Sequence, residues 1–216
     1  METHTPNCRK IVSQIKIRNI LYRKILNKEV SLMSHLSEDT CQYLSEYCYI
    51  LQNMIMEMTG AELGCSISHN FIMQMIPHHQ AAVAMSENIL KFSNNSNVRR
   101  IAENIIAEQN ASIEALRNIE ENTKNLLNCR QDLHQYQCCI CEIMRKMFCC
   151  LKTAAQTDCV DKNYLCEMAA LYRGGLQMAC EALKNCLCPD LKPIVQDIIR
   201  SSKRTLNEIC CLLKCF

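Results

Sequence analysis

At 216 residues the chain can hold one large domain or two small ones, and 24 Lys and Arg against 22 Asp and Glu leave no global field that would point to nucleic acid. With only 4 Gly and 4 Pro, no Trp and 49% hydrophobic residues, it suits long uninterrupted helices and an all-α fold. No apolar run is long enough to span a bilayer, and the opening Met1-Glu2-Thr3-His4-Thr5-Pro6 lacks the apolar stretch of a secretory signal. A cytoplasmic setting without membrane or nucleic-acid partners is therefore expected, in which 18 Cys stay reduced.

Residues 1–36 read as an N-terminal basic amphipathic helix, with Ile11, Ile15, Tyr22, Leu26 and Met33 at helical spacing and Arg9, Lys10, Lys16, Arg18, Arg23, Lys24 and Lys28 as a solvated face. Ser37-Glu38-Asp39 is an N-cap signal followed by acid, opening a second helix that runs to about Thr59 before Gly60 and Gly64. Its apolar set includes Leu44, Tyr47, Cys48, Ile50, Leu51, Met54, Ile55 and Met58, and Met54, Met56 and Met58 read as flexible core filler. Ser68 is expected to cap a third helix ending near Phe92. The polar run Ser93-Asn94-Asn95-Ser96-Asn97 then turns into a fourth, which places Val98, Ala102, Ile105, Gln109, Ile113 and Leu116 on one side. Gln109 is the polar intruder on that stripe. No Gly or Pro marks the break between residues 118 and 131, so that boundary stays open.

The third helix carries the only adjacent His pair in the chain. At about 100° per residue, Met75, His78, His79, Ala82 and Met85 fall within roughly a third of the circumference. Imidazole with thioether suits copper, thioether favouring the cuprous ion, so this arc reads as a soft-metal site with Gln109 as an orienting partner. Pro77 cannot donate to the Met73 carbonyl and should bend the helix just before the pair.

A shift of 93 positions aligns the chain with itself without a gap: Gln42-Tyr43 with Gln135-Tyr136, Cys48 with Cys141, Met54 with Met147, Asn70 with Asn163, Met75 with Met168, Met85 with Met178 and Ile105-Ile106 with Ile198-Ile199. This divides the chain into a first repeat, 37–128, and a Cys-rich second repeat, 129–216. The second repeat has Leu171-Tyr172 where the first has His78-His79, and Ser202 where it has Gln109. The imidazoles and the amide are lost together, as expected if they served one site; independent drift of core positions is the plainer alternative.

The thiols read less sharply. Cys139 and Cys150 share a face with Ile143 and Met147 and are expected to point inward, whereas Cys138 and Cys149 are expected outside; Cys139, Cys141 and Cys150 are candidate additional ligands. No thiol has an evident His partner at a defined spacing. The chain has no Glu-x-x-His, His-Glu-x-x-His, Cys-x-x-Cys-His or Gly-rich phosphate loop, so enzymatic activity is not expected.

With these residues in view, the stretch from Asn70 to Ile119 resembles the ferritin-like family filed as domain of unknown function 305, which includes CopM-type periplasmic copper-binding proteins. The resemblance is carried by Phe71, Met75 to Gln80, Ala82, Met85, Ile105-Ile106 and Gln109. It implies a ferritin-like helical bundle and metal binding through Met75, His78, His79 and Met85. The combined expectation is about seven helices, from two related three-helix repeats behind the N-terminal helix. The chain would bind, buffer or sequester soft metal, with a copper ion as partner and a homo-oligomer as one possible state. The alternative is a structural or assembly protein cross-linked through outward cysteines, such as a spore-layer component. A helical scaffold in which Met and Cys only pack is a third reading.

Overall fold

The computed structural model describes residues 36–154 and 156–216. Among the described residues there are six helices and no strand: α1 (Glu38–Gly60), α2 (Ile67–Ile89), α3 (Ser96–Lys124), α4 (Arg130–Lys152), α5 (Val160–Ala182) and α6 (Leu191–Leu213). The fold is an all-α bundle, and the seventh helix expected, over residues 1–36, lies outside the described residues apart from its last position. No helix among the described residues is long and apolar enough to cross a membrane.

Local chemistry explains most helix ends. The Ser37 hydroxyl accepts from the Thr40 amide and opens α1. Its buried positions, Leu44, Tyr47, Ile50, Leu51, Met54 and Met58, recur every three or four residues; Cys48 and Ile55 sit on the flank. Met56 is exposed rather than core filler, because two residues from Met54 or Met58 is about 200° round the helix. Ser66, not Ser68, caps α2 by accepting from the His69 amide at 3.2 Å. Ser68 lies inside the helix and accepts from the Cys188 amide at 2.8 Å, tying α2 to the α5–α6 loop. α2 stops at Ile89, before Phe92, and runs unbroken through Pro77.

The boundary that sequence left open is set by tertiary contacts. α3 ends at Lys124, and in the following turn the Asn128 side chain accepts from the Ile67 amide at 2.8 Å and donates to the Cys186 carbonyl at 2.9 Å. One asparagine thus fastens three loops together at one end of the bundle.

The centre is the pair α2 and α5 in contact. α1 and α3 pack on α2, α4 and α6 pack on α5, and α3 meets α6. His78 of α2 meets Leu171 of α5, while Ser86, further along α2, meets Tyr164, earlier in α5, so the two run antiparallel. α2 and α5 begin and end 93 residues apart, at 67 and 160 and at 89 and 182. Asn70 bridges the Gly64 backbone (2.8 and 3.1 Å), and Asn163 bridges the Thr157 backbone in the same way (2.8 and 2.7 Å). The helical repeat is therefore present in the hydrogen bonding as well as in the sequence.

Candidate metal centre

α2 buries Met75, His78, His79, Ala82 and Met85 on one arc. Helical side chains lean toward the N-terminus, which carries both imidazoles toward the turn of Met75. Met75 and Met85 are ten residues apart, about 15 Å of rise, so one ion cannot take both thioethers.

The two rings lie edge to face, with centroids 5.7 Å apart. His78 Nε2 is 3.1 Å from the Leu171 carbonyl oxygen, which only accepts, so Nε2 carries the proton and Nδ1 the lone pair. The approach requires Gly175: a Cβ there would stand 2.6 Å from His78 Cε1. His78 and Leu171 occupy equivalent positions in the two repeats, so each half supplies one side of the contact.

Among the described residues, His78 Nδ1 is buried without a hydrogen-bond partner, and neither His79 nitrogen meets one at full hydrogen-bond geometry, the Gln109 amide being the polar group close enough to act on that ring. Burial lowers the His78 pKa to about 4, with the Leu171 carbonyl offsetting part of the shift. Burial also lowers His79 to about 3, helped by the neighbouring His78 and partly offset by Gln109. Both rings are therefore neutral near pH 7, the state in which imidazole binds metal. Gln109 stands beside His79 as expected, yet its amide donates to the Tyr172 hydroxyl at 3.3 Å. Tyr172 is the repeat equivalent of His79, so the amide links the two positions.

The candidate thiols do not converge. The buried stripe of α4 is Tyr136, Ile140, Met144, Met147, Phe148 and Leu151, and the Cys139–Cys150 line lies about 90° round on its flank. Cys139 is half-covered near Glu181, whose carboxylate, after burial, raises its pKa. Cys150, at the helix end, is exposed, which corrects the inward expectation; Cys138 and Cys149 are exposed as expected. Cys141 is partly exposed and, two residues from Cys139, about 200° away. Every described cysteine is at least partly exposed, unusual for a residue type that is commonly buried. No group of three or more His, Cys, Asp or Glu that could hold an ion is gathered among the described residues.

Three features escaped sequence reasoning. The Leu171 carbonyl and Gly175 come from the other repeat; two adjacent glycines inside a helix, in a chain with four, were the available signal of close approach. Glu167 is buried in the core, where Tyr43 donates to it at 2.5 Å and burial raises its pKa to about 8. Cys138 does have a His partner, its Sγ lying 3.8 Å from His134 Nε2. The open groove of about 480 Å³ lined by Met56, Met73, Ile76, Pro77, Arg117 and Glu120 lies against the back of α2, away from the imidazoles.

A family model described as Domain of unknown function (DUF305) matches residues 68–213, more than half of the chain and across both repeats. No curated protein and no solved structure matches.

Proposed function

We propose, for a chain that belongs to the DUF305 family, that it binds a soft metal ion, cuprous copper, in its core and buffers or sequesters it without catalysis. The observation that carries this reading is that His78 and His79 are buried and neutral, and that the lone pair of His78 Nδ1 has no hydrogen-bond partner among the described residues, with His79 supplying one further lone pair. A buried polar atom without a partner costs about 1–3 kcal/mol. A ligand that accepts lone pairs removes that cost, and the donor set of imidazole and thioether selects a soft ion.

In this reading His78 offers Nδ1, because Leu171 holds its Nε2 proton, and His79 offers a second nitrogen. Met75, one turn before the pair, is the thioether within reach. Met85 is an outlying buried thioether that does not complete the same ion's ligands. Gln109 steadies His79 and Tyr172. The bundle is taken as ferritin-like, with copper chemistry akin to that of the CopM-type proteins the motif resembles and with the second repeat as a degenerate copy that lost the imidazoles. A cytosolic buffer is the role that suits a thiol-rich chain.

Anaerobic cuprous titration after the thiols are blocked with iodoacetamide tests the site, with helical circular dichroism as the check on folding. Wild type should retain one tight equivalent that His78→Ala/His79→Ala loses; an equal equivalent in both removes the site. The exposed thiols favour a second reading, a disulfide-linked assembly. Non-reducing gels of native material should then show a ladder that reductant collapses, and a single unlinked band argues against it.

A further inference from the structure

We infer that His134 and Cys138, on the outer face of α4, form a second soft-cation site that takes a monovalent thiophilic ion at low coordination. The site is separate from the core pair and stands whether or not His78 and His79 hold an ion. The two residues are one helical turn apart, so their side chains are neighbours on a rigid backbone and little ordering is needed to bring them together. Both are exposed, with Sγ and Nε2 3.8 Å apart. With soft-ion bonds close to zinc's, about 2.3 Å to sulfur and about 2.0 Å to nitrogen, the two donors already stand nearly far enough apart to hold one ion between them, and both exposed side chains can open by a few tenths of an ångström to the near-linear arrangement of a two-coordinate ion.

The number and type of donors choose the ion. No third His, Cys, Asp or Glu joins a metal-holding group among the described residues. Glu142, the next carboxylate along this face, is held by Arg145 at 2.7 Å and Lys146 at 3.4 Å. Zinc in a structural site takes four ligands, and calcium or magnesium takes six or more oxygens, so neither is served. Thiolate with imidazole and an otherwise open shell suits cuprous or silver ion. On binding, the Cys138 thiol releases its proton to solvent and the neutral His134 ring gives its Nε2 lone pair.

Silver ion is a redox-inert stand-in for cuprous ion. Imidazole nitrogen spectra recorded while silver nitrate is added to the full chain, until no resonance moves further, read each His separately. The His134 resonance should shift in wild type and stay at its metal-free position in Cys138→Ser. A His134 resonance that never moves in wild type, or that moves equally in Cys138→Ser, overturns the site. The His78 and His79 resonances report the core centre in the same spectra, so failure of one proposal is distinguishable from failure of the other. Mass-spectrometric alkylation adds a second readout: silver should protect Cys138 in wild type and lose that protection in His134→Gln, and equal protection in both overturns the pairing.

Discussion

The two three-helix repeats share a frame and bury different polar groups in it. At equivalent positions α2 buries Gln74, His78 and His79, whereas α5 buries Glu167, Leu171 and Tyr172. Asn70 and Asn163, whose job is to close a loop onto its own backbone, are kept in both. The residues that differ face the other repeat: His78 leans on the Leu171 carbonyl, and Glu167 takes its hydrogen bond from Tyr43 of α1. At these positions the groups that serve local geometry are the same in the two repeats, and His78 and Glu167, which bond across to the other half, stand opposite different residues.

The largest expected effect comes from the His pair. Its folded pKa values of about 4 and about 3 lie below the ordinary 6.5, so between these limits the unfolded chain binds more protons. The pair's contribution is intact above about pH 6.5 and is lost as pH falls toward 3. Replacing the pair by the residues of the other half, His78→Leu/His79→Tyr, should flatten this acid slope in urea unfolding; an unchanged slope would place the rings in solvent.

Glu167 works in the opposite direction. Its folded pKa is raised from 4.5 to about 8, so its contribution is complete below about pH 4.5 and is lost as pH rises toward 8. Glu167→Gln, which copies the first repeat, should remove that alkaline loss in the same unfolding series.

Gly175→Ala comes next. Its Cβ would press on His78, and such overpacking typically costs about 1–3 kcal/mol. The cost should shrink in a His78→Ala background, and a double-mutant cycle reads the coupling; strict additivity would separate Gly175 from the imidazole.

The smallest contrast is between the two tyrosines at equivalent positions. Tyr43→Phe leaves Glu167 without its donor, at about 1–3 kcal/mol, whereas the Tyr136 hydroxyl is buried and has no partner among the described residues, so Tyr136→Phe should be neutral or stabilising by denaturant midpoint. Equal costs would erase the asymmetry.

The sequence carried the helices because their information is local. Apolar spacing marked the buried positions of α1 and α3, Ser37 marked a start, and the 93-residue shift marked the repeat. Cys150 was misplaced because a flank position is buried only if a neighbouring helix covers it, and none of the described helices covers the end of α4 there. Ser68 was misread as a cap because a serine beside a helix start can bond forward to its own backbone or sideways to another loop, and sequence does not distinguish the two.

What the sequence by itself determined is the all-α class, the repeat, and the placement of His78, His79, Met75 and Met85 on one arc of one helix, since each follows from periodicity along the chain. Only the tertiary structure decided that the His78 proton sits on Nε2, that Gly175 of the other repeat admits the ring, and that Cys150 is exposed. Those properties depend on which helix packs on which, and residues almost a hundred positions apart meet for reasons that no local pattern records.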